Sequence, residues 1–253
     1  MGDYIDLFKR FIKNFNHHKI GRCNVCGNLT FFFVMNIDQA RGDFLCISCR
    51  SYSRKRHVAK IINEIVNTSY ISQIPQKVEI NIYNTDIYDA FYRVLDGYAS
   101  FFCSDFLPDV ELGMEIKKGV FCQDIEKLTF PNESFDFVIT EDIFEHVRND
   151  SKGFEEISRV LKKGGYHIFT IPFNFDRITI NRVDIFDDKE VHILPPEYHD
   201  SKRGKVLTYR TYGIDLFKFL DSIGFETHIN FSGYSDQKYK IYNSFVFISK
   251  KKY

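Results

Sequence analysis

The sequence predicts an α/β fold: an open sheet with parallel neighbours, preceded by a small four-cysteine module. Three observations carry that expectation. In the stretch FDFVITEDIFEHVRNDSKGFEEISRVLKKGGYHIFTIP, residues 135–172, one apolar strand, an acidic loop, a helix and a second apolar strand follow one another. That order is a βαβ unit, which makes its two strands parallel. Two Cys-x-x-Cys pairs lie near the N-terminus, and several short apolar runs each end at an acidic residue.

Within the central stretch, Phe135–Thr140 is rich in β-formers and reads as a buried strand. Thr140, Glu141 and Asp142 follow, where a parallel strand delivers its carboxyl end to a ligand crevice. Phe154, Ile157 and Leu161 recur at helical spacing, with Lys162 and Lys163 in the expected last turn and Gly164-Gly165 as the stop. Tyr166–Ile171 reads as the next strand.

With 253 residues and a hydrophobic fraction of 44%, the chain can bury a core for one domain of about 200 residues and a small appendage. Lys+Arg and Asp+Glu both number 34, so no global field draws it to nucleic acid or an anionic membrane. There is no eighteen-residue apolar run and no leader-like segment, and a cytoplasmic location is expected. Residues 1–20 read as an amphipathic helix: Tyr4, Ile5, Phe8, Phe11, Ile12 and Phe15 share a stripe, with Asp3 as cap.

Cys23 and Cys26 (CNVC) and Cys46 and Cys49 (CISC) are separated by 19 residues. Two knuckles that each present two thiolates close a tetrahedron around zinc, and a site with all four positions filled is structural. Gly27 suits the tight turn of the first knuckle. Phe31–Val34 and Asp43–Leu45 are the expected hairpin of a ribbon. Two disulfides are the alternative, though no secretion signal marks the chain. Val58, Ile61, Ile62, Ile65 and Val66 then form a helix stripe beside Arg50, Arg54, Lys55, Arg56, His57 and Lys60. That basic cluster either touches nucleic acid, or is a solvated helix start or a clamp of the ribbon onto the next domain. Residues 21–66 are thus the ribbon and its helix, Asn67–Gln76 a linker, and 77–253 the larger domain.

Lys77–Tyr83 is the expected first sheet strand, followed by Asn84, Thr85 and Asp86 in the first turn. Tyr98–Cys103 is the second, ending at Asp105 and Phe106; Gly119–Gln123 is the third, ending at Asp124 and Ile125. Cys103 and Cys122 suit small buried apolar positions. A carboxylate about 20 residues beyond the first turn can accept hydrogen bonds from both ribose hydroxyls of a nucleoside cofactor. An irregular insertion, 174–207, follows Pro172 and is long enough to be a functional loop or lid. It holds His192, Pro195-Pro196, Tyr198, His199 and Asp200. Thr211 is the expected cap of a helix bearing Leu216, Phe217, Leu220 and Ile223, stopped by Gly224. Phe225–Phe231 and Asn243–Lys250 are the closing strands.

The segments FDFVITEDIFEHV and LKKGGYHIFTIP resemble the fourth and fifth strands of class I S-adenosylmethionine-dependent methyltransferases. The resemblance implies a Rossmann-like, mostly parallel sheet with an antiparallel last strand, and S-adenosylmethionine as cofactor. It places the cofactor against Tyr83, Asn84, Thr85, Asp86, Asp105, Phe106, Asp124, Ile125, Thr140, Glu141 and Asp142. Asp124 would meet the adenine amino group, with its neighbour packed on the ring. One departure stands out: no glycine lies between Gly42 and Gly97, so the usual glycine-rich turn is absent. Either side chains bind the cofactor there, or binding is weak or lost. RGDFLCISCRSYSRKR, LPPEYH and TYRTYGIDLFKFLDSIGF also resemble a bacterial methyltransferase group associated with surface-glycan loci.

Methyl transfer from a sulfonium chiefly requires an in-line acceptor, and a hydroxyl acceptor gains from a general base. His146, His199 and Tyr198 are the candidates. O-methylation of a small-molecule or saccharide acceptor is therefore the first reading. An RNA or protein methyltransferase using the ribbon for capture is the second, although TEDIF lacks the Asn/Asp-Pro-Pro-aromatic signature of amino-group methylation. A binding module without catalysis is the third.

Overall fold

The computed structural model describes residues 9, 12–38, 43–187, 189–201 and 204–253. Asp3, Tyr4, Ile5, Phe8 and Phe11 of the expected N-terminal helix lie outside them. Ile12 and Phe15 are exposed. The chain divides into two compact units, residues 1–103 with 229–246, and residues 104–228 with 247–253.

The first unit opens with three antiparallel strands, β1 (Lys19–Arg22), β2 (Leu29–Phe33) and β3 (Leu45–Cys46), in the order β1-β2-β3. Phe32 stands opposite Cys46, so the β2–β3 hairpin carries a cysteine in its register. Helix α1 (Ser53–Ile65) buries Val58, Ala59, Ile61 and Ile62, the face its apolar spacing defines. The expected linker is structured. Pro75 starts a helical turn, Ile74–Lys77, as proline does where its missing N–H costs nothing. Ile71 and Ile74 are buried, and the amides of Ile71 and Ser72 donate to the Asn24 and Val25 carbonyls.

That turn also shortens the first sheet strand, since Lys77 ends the helix and only β4 (Ile82–Asn84) is extended and paired. Tyr98 lies in a turn rather than a strand, its hydroxyl donating to the Val78 or Ile80 carbonyl, each 3.2 Å away. The second strand is β5 (Phe101–Asp105), parallel to β4 through Ile82↔Phe101 to Asn84↔Cys103. Between them lies helix α2 (Ala90–Leu95), capped by Asp89.

The basic cluster is largely consumed within this unit. Lys55 pairs with Asp89, and Lys60 with Asp236 at 2.8 Å. Arg56 is fully buried and donates to Ser51, Tyr239 and Lys240 carbonyls. His57, also fully buried, bonds Asn230 and Ser244 at 3.1 Å each. Lys55, Arg56, His57 and Lys60 therefore act as an internal clamp rather than a basic surface.

In the second unit, β6 (Glu115–Lys117) and β7 (Val120–Cys122) form an antiparallel pair. β8 (Phe135–Glu141) runs parallel to β9 (Leu161–Thr170), with helix α3 (Asp150–Val160) between them, so the βαβ unit is present. Its helix ends earlier than expected. Leu161 is already extended and opposite Phe135, and the register shifts before Phe137 meets Tyr166. The Lys-Lys-Gly-Gly run is thus a strand irregularity, held by Lys162 on Asp136 at 2.7 Å, not a helix terminus.

The insertion is hairpins rather than irregular chain. Val183–Phe186 pairs with Lys189–His192, and Tyr198–Ser201 with Gly204–Leu207. Thr211 lies in a bridge strand opposite Ile180, and Asp215 precedes helix α4 (Leu216–Ser222). β10 (Phe225–Asn230) and β11 (Val246–Lys251) follow, and β11 runs antiparallel to β9. Phe154, Phe169, Phe225 and Phe247 fill the core of this unit, while Cys122, like Cys103 of the first unit, is fully buried.

Burial also makes stability pH-dependent. It pushes His57 down to about 4 and His167 down to about 3. The folded protein therefore holds both imidazoles neutral where the unfolded chain, titrating near 6.5, takes up protons. Their contribution to stability is complete above about pH 6.5 and falls as pH drops toward 4, by about 3 kcal/mol for His57 alone. Urea unfolding at pH 7.5 and pH 5 is expected to show this slope, and His57→Gln to reduce it.

Candidate functional site

Two knuckles build the cysteine cluster. The Gly27 amide closes onto the Cys23 carbonyl at 2.8 Å, and the Arg50 amide onto Cys46 at 2.8 Å. Gly27 and Arg50 both have positive φ, 78° and 63°, so the two turns share one conformation although only one uses glycine. A Cβ on Gly27 would also press on the Tyr70 ring at 3.2 Å. The four sulfurs of Cys23, Cys26, Cys46 and Cys49 lie within 4.8 Å of one another, and all four cysteines are free. Cys23 and Cys49 Sγ are 3.8 Å apart, too far for a disulfide. Ser51 Oγ reaches both sulfurs at 3.3 and 3.4 Å, and Thr30 Oγ1 lies 3.6 Å from Cys46. Arg56 behind Ser51 is pushed down to about 10 by burial, which the thiolates oppose. Four converging thiols with hydroxyl and guanidinium support fit a tetrahedral thiophilic ion.

The expected cofactor residues occupy strand ends. In the first unit, Tyr83 and Asn84 are buried in β4. Asn84 Nδ2 donates to the Asp86 carbonyl at 2.6 Å and to Asp89 at 3.1 Å. Asp86 Oδ1 takes the Tyr88 amide at 2.7 Å. Side chains close the turn that glycine closes in the resembled family, with Thr85 half-buried within it. In the second unit, Asp105 is half-buried at the end of β5 and Phe106 is exposed. Asp124 Oδ1 accepts the Glu126 amide, and Ile125 beside it is half-buried. Thr140 turns inward, its hydroxyl 2.9 Å from His167 Nε2. Glu141 ends β8, and Asp142 has φ 50°, its Oδ1 accepting from Thr170 at 2.8 Å. A non-glycine residue held left-handed at a strand end marks a constrained turn. Asp105, Asp124 and Asp142 thus stand at or just beyond strand ends of the second unit, and in the first unit side chains close the turn after β4.

The candidate acceptor residues converge within the second unit. His146 closes the turn Phe144–His146, and His199 lies in the insertion hairpin. Their rings meet edge to face with centroids 4.9 Å apart. Tyr198, beside His199, is exposed. His146 Nδ1 lies 2.8 Å from the Leu207 carbonyl, and burial pushes its pKa down. The sequence reading missed Glu145, which is fully buried with Oε1 3.8 Å from both His146 Nε2 and His199 Nδ1.

A clamp it also missed holds this turn. Arg210 donates to the carbonyls of Phe144 (3.2 Å), Val147 (2.6 Å) and Arg148 (2.9 Å). Tyr212 Oη is 3.2 Å from the Phe144 carbonyl and 2.8 Å from Asp150, and the Tyr209 amide meets Glu145 O at 2.8 Å. Gly153 leaves room for the Phe144 ring; a Cβ there would lie 2.9 Å from it.

Residues 74–169 match the family model described as a methyltransferase domain. A sarcosine/dimethylglycine N-methyltransferase of Aphanothece halophytica is 41% identical over 66 residues, 26% of this chain and 24% of that protein. The chain thus spans about a quarter of the length of the curated relative it matches. Among solved structures, an S-adenosylmethionine-dependent methyltransferase from Mesorhizobium loti is 11% identical at TM-score 0.46, covering 79% of this chain and 98% of that one. A 1,6-didemethyltoxoflavin-N1-methyltransferase from Burkholderia thailandensis is 12% identical at TM-score 0.42, covering 78% and 77%. Likenesses of that strength do not fix a topology, which rests on the strand pairing above. The segment 74–169 is thus similar to a methyltransferase domain.

Proposed function

We propose that the protein is an S-adenosylmethionine-dependent methyltransferase that methylates an oxygen of a small-molecule or saccharide acceptor. The supporting observation is the meeting of His146, from the turn after β8, with His199, from the insertion, in a chain whose segment 74–169 is similar to a methyltransferase domain. In such a transfer the acceptor oxygen forms its bond to the methyl carbon as the carbon–sulfur bond breaks. The electron pair stays on sulfur, giving a thioether, and the hydroxyl proton passes to a base. The half-buried His146 imidazole, whose pKa burial pushes down, is neutral there and can take a proton or ligate a cation.

Asp105 is assigned to the ribose, Asp124 and Ile125 to adenine, and Tyr83–Asp86, Phe106 and Thr140–Asp142 to the cofactor's remaining surface. Cys23, Cys26, Cys46 and Cys49 are assigned a structural zinc. Residues 21–66 form the ribbon and its helix, 77–253 the catalytic domain, and the cytoplasm is the proposed location. No helix among the described residues is long and apolar enough to cross a membrane. A small amine acceptor is the second reading, favoured by the name of the N-methyltransferase relative.

Release of S-adenosylhomocysteine across a panel of hydroxyl and amine acceptors tests this. With the active acceptor, the double variant Tyr198→Phe/His199→Ala is expected to lose turnover by about a hundredfold or more, with cofactor affinity nearly unchanged. Full activity in the double variant removes the insertion from the chemistry; cofactor affinity falling with activity makes it a structural lid.

A further inference from the structure

We propose that Glu145, His146 and His199 form a second metal site, which holds a divalent first-row cation with open positions for an acceptor oxygen. The donor atoms, one from each residue, lie within 4.8 Å of one another, and Glu145 Oε1 is 3.8 Å from each of two imidazole nitrogens. Those separations exceed hydrogen-bond reach, so no proton is shared along either line. Donors bound at about 2.1 Å to one ion stand about 3–3.5 Å apart, so small rotations close the set.

The outer partners of both histidines point the same way. His146 Nδ1 lies 2.8 Å from the Leu207 carbonyl, so this nitrogen carries the proton and Nε2 presents a lone pair toward Glu145. His199 Nε2 lies 3.4 Å from Glu197 Oε1, leaving Nδ1 toward Glu145. An imidazole whose far nitrogen meets a carbonyl or carboxylate is the usual arrangement of a metal-bound histidine. The carboxylate between them is fully buried, and the Arg210 clamp fixes the turn that carries it. Two imidazoles beside one carboxylate favour a first-row transition ion over magnesium or calcium, with iron and zinc the best matched.

Three protein donors leave positions open, unlike the four-cysteine cluster, and an open position is the mark of a site that engages substrate. An acceptor hydroxyl bound there would lose its proton more readily. Its role in transfer rests on the methyltransferase reading; metal binding itself does not. Under this assignment His146 and His199 bind the cation, and the acceptor's proton leaves to solvent.

Mn²⁺ is the probe, because a hard ion does not displace a cation from thiolates. Titration of the full chain, its cysteine-site metal retained, is followed by loss of the free-ion electron paramagnetic resonance signal. One Mn²⁺ per chain is expected, with nitrogen modulation from two imidazoles. His199→Ala, at a half-exposed position, is expected to weaken binding about tenfold or more and remove one nitrogen. Glu197→Gln, which alters only the outer partner, should weaken binding about tenfold and serves if the first variant does not fold. No saturable Mn²⁺ binding by the wild type overturns the site, as does binding unchanged in both variants. Cofactor calorimetry on the same samples reports separately on the methyltransferase reading.

Discussion

Cys46→Ser is expected to unfold the ribbon while leaving the second unit folded. Cys46 lies in the β2–β3 register opposite Phe32, and its sulfur is one of four within 4.8 Å. With a bound ion these thiolates supply folding free energy on the order of 10 kcal/mol, which a small ribbon cannot replace with apolar burial. Loss spreads along a defined route. Ser51 sits against Cys23 and Cys49, Arg56 donates to Ser51, and the same guanidinium holds the Tyr239 and Lys240 carbonyls. Hydrogen exchange should show protection lost over residues of about 20–55 and reduced around 235–242, with β8 and β9 unaffected. Chelation should do the same to the wild type. Ribbon protection that survives both treatments means the cysteines are a packed thiol cluster without metal.

Arg210→Ala is expected to cost about 3 kcal/mol in urea unfolding. The guanidinium is buried, serves three carbonyls of residues 144–148 and lies 3.5 Å from Asp150. Removing one partner of a buried charge pair costs about 3–5 kcal/mol. The lower end applies because a cavity of about 360 Å³ lined by Arg148, Asp150, Arg210 and Tyr212 admits water to the orphaned groups. Turnover should fall further than stability, since the clamped turn carries Glu145 and His146. A loss below about 1 kcal/mol would show that Tyr212 and the Tyr209 amide hold the turn unaided.

The parts legible in the sequence were those whose local pattern and tertiary role agree. The strand–loop–helix–strand order of 135–172 survives because its apolar spacing matches its buried faces, and the cysteine knuckles because their spacing dictates their geometry. His146 and His199 were identifiable as polar groups in the expected loops. Their meeting was not, because it depends on how the 198–207 hairpin folds back. Where local signals misled, a tertiary contact had won. Lys-Lys-Gly-Gly looks like a helix terminus, yet Lys162 pairs with Asp136 in a strand irregularity. Lys77–Tyr83 alternates like a strand, yet Pro75 spends its beginning on a helical turn. Glu145 and Arg210 carried no local signal: each is a charged residue whose burial only the folded chain reveals.

Binding of S-adenosylmethionine through carboxylates at strand ends, despite the glycine-free first turn, is the expected property on which the proposed function depends. Isothermal titration of the folded protein with S-adenosylmethionine, repeated with Asp105→Ala, tests it most directly. Asp105 would accept two charge-assisted hydrogen bonds from the ribose, about 2–4 kcal/mol together. The predicted result is one cofactor per chain, with affinity lowered about thirtyfold to a thousandfold in the variant. Absence of saturable binding to the folded wild type would contradict the account and leave a domain of methyltransferase type that binds without this cofactor.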